Sequence, residues 1–358
     1  MPPLRARLAP HGVRAPVTTM TLALQATPPA GWKTLARDAV QLAEFADAGR
    51  HLGYVPFYAA RGDAAALVQI RDPLPALGLL GRAYVYPSGE DRGFLEALLA
   101  AVARRRIPFV RIGNTMWGPR DRGVLALDRR RVDVIARHTI VLDITGGEPA
   151  LLRGMHGAER KIRKAQKEGV EVTEAQSLAD VEAYHALSRD TADRIRTRSR
   201  FTELPPAFFV DVWRRMVPAG HARIFLARHE GQLIAGNLFV IHGDTMLYYQ
   251  GASTRDRAQT LRQAPAACFW AAIRAARALG LRRFDFGGCT PTEDPADPRY
   301  GVYEFKKKWG GELVSFYNAE VRLAPRIVAL QDRVVAPLWQ RLHPLLWRLS
   351  GRAAVEAA

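Results

Sequence analysis

Lysine is scarce in this sequence of 358 residues, although the chain is strongly basic. Of its 52 basic residues, seven are lysine and 45 are arginine. Six of the seven lysines fall in two short clusters, Lys161, Lys164 and Lys167 in one and Lys306, Lys307 and Lys308 in the other. A lysine ammonium is a compact point charge whose pKa shifts readily, whereas a guanidinium is a planar fork that stays charged. The two clusters are therefore the first candidates for chemistry, and chance clustering in a chain with biased codon usage is the alternative.

Cysteine and long apolar runs are also scarce. Cys268 and Cys289 are the only cysteines, and neither stands at a ligand-like spacing from a histidine, which speaks against a disulfide framework and a zinc site. No stretch approaches the roughly 18 apolar residues that span a bilayer, and the N-terminal residues lack the continuous apolar segment of a secretion signal. We therefore expect a soluble, cytoplasmic protein with no metal or cofactor, and a monomer.

Negative charge is low, and the net charge is +17. Such an excess predicts a polyanionic partner, which is a nucleic acid, a phosphorylated metabolite or an anionic membrane surface. A solvated, arginine-rich exterior is the alternative. The length and the hydrophobic fraction of 48% are sufficient for two or three domains with cores of their own.

Two stretches of the chain show the same order of predicted elements. The first has a helix at 34–48, strands at 54–60, 65–71 and 82–86, a helix at 90–106 and a strand at 108–113. The second has helices at 149–168, 178–192 and 205–216, three antiparallel strands within 222–253, a helix at 262–279 and a strand at 281–288. Three antiparallel strands, a helix and a further strand are the order of the GNAT acyltransferase fold. The sequence therefore predicts an α+β (mixed α/β) protein with two tandem GNAT-like domains, each a mostly antiparallel central sheet flanked by helices.

The domain boundaries follow from this repeat. We expect a flexible N-terminal arm at 1–30, a first GNAT-like domain at 31–145 and a second, catalytic one at 146–322. A basic amphipathic segment, 323–358, closes the chain and contains two tryptophans in its apolar stretches. This segment suits a helix at a bilayer interface, and a helix packed on the body of the protein is the alternative.

Several stretches together resemble the FemABX-type aminoacyltransferases, which build the interpeptide bridges of peptidoglycan. They are HTIVLDITGGEPALLRGMHGAERKIRKAQKEGVEV, YYQGAS, RALG followed by FDFGG, and GVYEFKKKWGG. The resemblance covers about residues 30 to 320 and rests on the order of these motifs. It implies transfer of an amino acid, which is glycine, alanine or serine, from aminoacyl-tRNA as co-substrate. The acceptor would be the side-chain amine of a lipid-linked or UDP-linked muramyl-peptide precursor, reached by peripheral contact with the inner membrane leaflet.

The family's catalytic Phe-Lys pair matches Phe305 and Lys306. Aminoacyl transfer needs alignment of the ester with a neutral amine and stabilisation of the oxyanion that forms. We expect the Lys306 ammonium, at the end of a strand, to stabilise that oxyanion. Lys307 and Lys308 would extend the positive patch along the acceptor end of the tRNA, unless the three lysines merely solvate a loop.

Further residues are assigned from the same resemblance and from their residue type. Arg194 and Arg198 match the place of an acceptor-binding arginine, and their forks suit pyrophosphate or carboxylate. Tyr248 and Tyr249 resemble tyrosines that line the acceptor groove, although alternation along a strand allows only one to face it. Asp285 either orients the acceptor amine or holds the turn that follows it.

The first lysine cluster lies in the segment 159–168, whose charges surround most of a helix. Its docking candidates are Lys161, Arg163, Lys164 and Lys167. With so few apolar positions the helix cannot bury a wide face. It therefore predicts either electrostatic docking of nucleic acid or lipid headgroups, or an ordinary solvated helix.

Two other functions remain open. The first is an acyl-CoA-dependent N-acyltransferase on the same fold. In the stretch that would hold the CoA pyrophosphate, Pro265 removes an N–H donor and glycine is absent. The second is a non-catalytic protein that binds membranes or nucleic acid. Neither the transferred amino acid nor the choice between a lysine and an ornithine acceptor follows from the sequence.

Overall fold

One sheet of eleven strands runs through the part of the chain that the computed structural model describes, residues 22–72, 80–89, 91–113, 124, 127, 132–195, 204–254, 256 and 262–335. The strands are β1 (Val55–Arg61), β2 (Ala64–Arg71), β3 (Arg82–Pro87), β4 (Phe109–Ile112), β5 (Val132–Asp143), β6 (Glu171–Glu174), β7 (Ala222–His229), β8 (Gln232–His242), β9 (Thr245–Ser253), β10 (Arg283–Cys289) and β11 (Glu312–Arg322). Their spatial order is β1-β2-β3-β4-β11-β5-β10-β9-β8-β7-β6.

Helices cover both faces of this sheet. They are α1 (Trp32–Leu35), α2 (Ala43–Ala48), α3 (Arg92–Arg104), α4 (Glu148–Gly154), α5 (Ala158–Lys167), α6 (Leu178–Ile195), α7 (Pro206–Asp211), α8 (Ala264–Ala278), α9 (Tyr300–Lys307) and α10 (Pro325–Leu330). Short 3₁₀ turns occupy Ala39–Gln41 and Gly49–Leu52, and π-helical turns extend α7 and α10 over Val212–Met216 and Gln331–Val335.

The predicted repeat is confirmed by the pairing of the strands. In the first half β1, β2 and β3 are antiparallel and β4 is parallel to β3. In the second half β7, β8 and β9 are antiparallel and β10 is parallel to β9. In each half the connection to the parallel strand contains one long helix, α3 or α8, as a parallel crossover requires. The chain therefore has the mixed, mostly antiparallel, tandem GNAT-like fold that the sequence predicts.

The two halves share one sheet through β11, a strand that the sequence analysis missed. β11 pairs with β4 of the first half and with β5 of the second, antiparallel in both cases. Its contact with β5 runs from Glu312 opposite Val141 to Val321 opposite Val132. Exposed and buried residues alternate imperfectly along it, which is why the period-2 pattern of a strand is weak in the sequence.

Three predicted elements are corrected by the structure. The stretch that carries the lysine triplet is a helix, α9, and not a strand, because Tyr303 and Lys306 lie one turn apart and bury one face. The predicted helix at 149–168 is two helices, which are separated at Gly157, a residue with φ of 106°. The predicted helix at 34–48 consists of two short helices and a 3₁₀ turn.

The predicted flexible arm, 1–30, falls within the described residues from residue 22 onward. Leu22 is buried in the core of the first half. Gln25 forms two backbone hydrogen bonds with Tyr58 of β1, one in each direction. Two points of the predicted arm, Leu22 and Gln25, are therefore fixed to the first half of the chain. Residues 1–21 lie outside the described residues, and so do residues 336–358 of the predicted membrane-interface segment, 323–358.

The turn after α9 requires glycine at position 310. We therefore expect a substitution there to destabilise the folded protein strongly. Its φ is 77°, and a Cβ there would lie 2.1 Å from the Gly154 carbonyl oxygen. We expect Gly310→Ala to lower the free energy of unfolding by about 2–4 kcal/mol because it combines backbone strain with a backbone clash. Urea unfolding measures this. Gly301→Ala is the matched control, since nothing lies within 4 Å of a Cβ there, and a loss of equal size in that variant would contradict the explanation.

Candidate functional site

Lys306 is a buried lysine that α9 directs at a turn of β10. Its side chain is on the inner face of the helix and the residue is 5% exposed. The Nζ atom donates to the carbonyl oxygens of Gly287 and Gly288, at 3.0 and 2.8 Å. The ammonium lies 5.6 Å from the ring centroid of Tyr248 on β9. Three elements, α9, β9 and β10, therefore fix the position of one ammonium group.

The turn exists because β10 bulges after Asp285. Its pairing with β5 shifts register between Asp285 and Gly288. Gly287 has φ of 72°, and a Cβ there would lie 2.8 Å from the Tyr248 carbonyl oxygen. Such a bulge re-aims the backbone at the edge of a site. Here it turns two consecutive carbonyls toward α9, so the FDFGG motif supplies the acceptors for the lysine.

Burial changes the acid–base chemistry of the Lys306 ammonium. Desolvation lowers its pKa from 10.5 to about 8, and the charges of Cys289 and Asp285 partly oppose that effect. At neutral pH the group is mostly charged, yet it can lose its proton one or two pH units higher. An ammonium has three N–H donors; two of them bond Gly287 and Gly288, and no described residue accepts the third. The geometry therefore suits stabilisation of an additional negative oxygen.

Asp285 lies beneath the turn and is fully buried. Its Oδ1 accepts from the Gly287 N–H at 2.8 Å and from the Thr139 hydroxyl, whereas Oδ2 has no hydrogen-bond partner among the described residues. Desolvation raises its pKa to about 6. The Asp285 carboxylate has no exposed surface, and its bonds to Gly287 and Thr139 agree with the alternative, a carboxylate that holds the turn. The role of Asp285 in orienting the acceptor amine stays a prediction.

The pKa of Asp285 predicts a pH dependence of stability. The pKa of Asp285 is near 6 in the folded state, and the usual pKa of an aspartate is 3.8, so between these values the folded state binds more protons than the unfolded one. The Asp285 contribution to the free energy of unfolding must therefore fall as pH rises through that window, by up to about 3 kcal/mol. Urea unfolding from pH 4 to 7 measures it. We expect Asp285→Asn to lack this decline, and equal pH dependence in both proteins would contradict it.

The three consecutive lysines have three different surroundings. Lys307 is exposed and lies 3.9 Å from a carboxylate oxygen of Glu304. Lys308 lies at the end of α9, where its carbonyl accepts from the His156 N–H at 2.8 Å. Phe305, the neighbour of Lys306, packs against Phe269 and Trp309. A helix rotates successive residues by about 100°, so the triplet cannot act as one patch.

The two lysine clusters meet at a cavity of about 300 Å³. It is lined by residues of α5, of the end of α9 and of the start of α8: Gly157, Arg160, Lys161, Lys164, Gln263 and Lys308. We call this the basic cavity. The Lys161 Nζ lies 5.4 Å from the Phe305 ring centroid, so the cavity adjoins the residue next to Lys306. Burial and the charge of Lys308 both lower the pKa of Lys161. An anion would relieve this repulsion.

α5 buries only a narrow stripe, as its composition predicts. Ala158, Ile162 and Ala165 are buried, and the helix packs against α8. Among the docking candidates, Lys161 and Lys164 line the basic cavity. Arg163 and Lys167 are exposed and do not line it.

The two adjacent tyrosines of β9 lie on opposite faces of the sheet. Tyr248 packs against Phe269 on the side of Lys306. Tyr249 packs against Phe45 and Phe208 in the opposite core. Gly251 is needed here because a Cβ would lie 2.2 Å from the Tyr248 hydroxyl. Alternation thus leaves Tyr248 as the tyrosine of this pair beside the site.

The predicted acceptor arginines cannot be placed. The side chain of Arg194, near the end of α6, and the whole of Arg198 lie outside the described residues. Sequence reasoning also missed Thr139, Arg160 and Gln263. Thr139 lies in the HTIVLDIT strand, and a polar residue among apolar ones there was the available signal.

The class that the fold and the site define is the GNAT-type acyltransferase fold in its tandem form. Residues 153–307 match the family model of an acetyltransferase (GNAT) domain. The structure is similar to the crystal structure of FemX, with a TM-score of 0.64 and 17% identity over 82% of this chain and 94% of that chain. This similarity confirms the FemABX-type fold that the motifs predict.

Two further solved structures are similar. One is the C-terminal domain of a putative lysylphosphatidylglycerol synthetase from Agrobacterium fabrum, with a TM-score of 0.54 and 14% identity over 82% of this chain and 92% of that chain. The other is L-PGS from Bacillus licheniformis, with a TM-score of 0.53 and 14% identity over 86% of this chain and 98% of that chain. No curated protein matches the sequence significantly.

None of the described helices is both long enough and apolar enough to traverse a bilayer. The described His, Cys, Asp and Glu side chains form no group of three or more that could hold a metal ion.

Proposed function

We propose that this protein transfers an amino acid from aminoacyl-tRNA to the side-chain amine of a muramyl-peptide precursor of peptidoglycan. The observation that carries the proposal is the buried Lys306 ammonium, held by two peptide carbonyls and retaining a third donor. The preceding residue, Phe305, lies beside Lys161 of the basic cavity. The similarity to FemX supports the choice of reaction. In this reading the protein acts on the cytoplasmic side of the membrane, where both substrates occur.

The chemistry assigns one step to the Lys306 group. The acceptor amine attacks the carbonyl carbon of the ester, and the carbonyl oxygen becomes an oxyanion. A fixed ammonium in a site of low dielectric stabilises that charge without reorganisation. The intermediate then collapses: the new C–N bond is kept as an amide, and the C–O bond to the ribose breaks. The proton that the amine loses is transferred to the ribose oxygen, which leaves as a hydroxyl.

The basic cavity suits the phosphates of the donor. Its cations come from α5 and from the end of α9: Arg160, Lys161, Lys164 and Lys308. Of these, Lys161 lies beside Phe305. Phosphate backbones are held mainly by such cations. Pro265 near the N-terminus of α8 removes one of the N–H donors that would otherwise hold a CoA pyrophosphate, which favours tRNA over acyl-CoA.

Aminoacyl transfer to a lipid headgroup is a second candidate. It is favoured by the similarity to the domain of the putative lysylphosphatidylglycerol synthetase and to L-PGS. It needs the same donor and the same oxyanion stabilisation, and it differs in the acceptor alone.

The deciding experiment combines donors and acceptors with the purified protein. The donors are tRNAs charged with labelled glycine, alanine, serine or lysine, and acetyl-CoA. The acceptors are UDP-linked and lipid-linked muramyl pentapeptide, and phosphatidylglycerol vesicles. We expect labelled muramyl peptide from one of the first three tRNAs. Turnover with acetyl-CoA alone would overturn the proposal, and label in phosphatidylglycerol alone would replace it with the second candidate.

A further inference from the structure

Thr139 contributes a buried hydroxyl to the turn that holds Lys306. It lies on β5, opposite Gly288 in register, and is 2% exposed. Its Oγ1 is within hydrogen-bond distance of two acceptors, Asp285 Oδ1 and the Gly287 carbonyl oxygen, the latter at 3.0 Å. The Gly287 carbonyl is also one of the two oxygens that bind the Lys306 ammonium.

A hydroxyl has a single hydrogen, so the protonation state of Asp285 decides which acceptor receives it. When Asp285 is ionised, its Oδ1 is the stronger acceptor and receives both the Thr139 O–H and the Gly287 N–H. When Asp285 is protonated, its own O–H donates to Thr139 Oγ1. The Thr139 O–H then donates to the Gly287 carbonyl, which is shared with Lys306.

We propose that Thr139 and Asp285 are positioning residues for Lys306, and that the Thr139 hydroxyl transmits the protonation of Asp285 to the carbonyl that holds the ammonium. Neither side chain touches a substrate in this scheme, because both are buried beneath the turn. The inference deepens the proposed function by adding the residues that set the state of its catalytic lysine. Its test measures the lysine itself and does not depend on the identity of the reaction.

The groups that face this unit come from four directions. Lys306 on α9 favours the ionised form of Asp285, whereas Asp38, beside the first 3₁₀ turn, disfavours it. Cys289 on β10 supports the charge of Lys306, and the Tyr248 ring on β9 faces the ammonium. Removal of the Thr139 donor takes away a bond that lowers the pKa of Asp285. Asp285 then ionises at a higher pH, and the step that its titration produces in the Lys306 signal moves up with it.

The scarcity of lysine makes this measurable by NMR. With lysine labelled with ¹³C at Cε, the protein gives seven side-chain signals, one for each lysine of the sequence. The signal that disappears in Lys306→Arg is that of Lys306. Its chemical shift, followed from pH 5 to 11, reports its own titration near 8 and, as a smaller step near 6, that of Asp285.

Thr139→Val is the test and Thr139→Ser is the matched control. Valine keeps the shape of threonine and removes the hydroxyl, whereas serine keeps the hydroxyl. We expect Thr139→Val to move the smaller step up by about half a pH unit or more, because ionised Asp285 loses a hydrogen-bond donor, and Thr139→Ser to restore it. The Lys306 midpoint near 8 should stay in place, since Asp285 is ionised at that pH in both proteins. The other six lysine signals serve as the check of folding.

A Lys306 signal that titrates identically in Thr139→Val and in the unsubstituted protein would overturn the inference. An equal shift in Thr139→Ser would do the same, since it would show that packing and not the hydroxyl sets the titration. If the lysine behaves as expected while no aminoacyl transfer is found, the proposed function fails and the positioning unit stands.

Discussion

Replacement of Lys306 by alanine is expected to lower kcat for aminoacyl transfer by about 100- to 1000-fold, the usual effect of removing one oxyanion donor. The ammonium is buried and held at 3.0 and 2.8 Å by the Gly287 and Gly288 carbonyls, so it is already oriented before charge develops. Water that fills the vacated space would lack both the charge and the fixed position. Single-turnover rates with preformed aminoacyl-tRNA measure the effect without interference from product release.

Lys307→Ala is the matched control for this experiment. Lys307 is the next residue, has the same charge and is exposed beside Glu304, so its removal should change kcat by about twofold at most. Lys306→Met, which keeps the length of the side chain, separates loss of charge from loss of packing, and thermal unfolding of each variant checks the fold. A near-normal rate in both Lys306 variants with tRNA still bound would remove Lys306 from the oxyanion role.

Reversal of charge in the basic cavity is expected to weaken binding of tRNA by about tenfold for each residue changed. The pair to test is Lys161→Glu and Lys308→Glu, because these side chains come from different helices and already repel each other across the cavity. The dissociation constant should rise while kcat at saturating donor changes little. The dependence of log K on log salt should lose a slope of about one for each phosphate contact removed.

Lys167→Glu distinguishes the cavity from general electrostatics. Lys167 has the same charge, lies on the same helix α5 and is exposed outside the cavity. Filter binding across a range of salt concentrations compares the three variants. Equal weakening by Lys167→Glu would show that any charge on this face suffices, and the assignment of the cavity to donor phosphates would then be wrong.

The sequence predicts the repeat of elements well because each half has to bury its own apolar stripes. β7, β8 and β9 are separated by turns that contain glycines with positive φ, Gly231 and Gly243. Such turns can be recognised from the sequence because their signal is local. α9 was mistaken for a strand because its aromatic and basic residues show no clear period. Only the packing of Tyr303 and Lys306 against the core decides between the two structures.

The composition of the site was predictable in part. The rarity of lysine directs attention to Lys306 and to the cluster in α5, and the structure brings Lys161 and Lys308 to one cavity. The sequence does not show how deeply each of these side chains is buried. Asp285 and Arg163 are both charged residues next to motif positions, yet the first is fully buried and the second is exposed. Thr139 becomes informative only when β5 is placed beside the bulge of β10.

The central place of β11 has a consequence for biosynthesis. β1 to β4 and β5 to β10 are translated before residue 312, but the strand that joins β4 to β5 leaves the ribosome after both groups. Until then each group has an open edge, which other chains can pair with. β11 therefore completes the sheet at its centre and is the last strand to be added. Residues 308–311, which include Gly310 and Gly311, connect this strand to α9, the helix that carries Lys306. The lysine site is therefore completed late, because α9 and the strand that joins the two groups emerge one after the other.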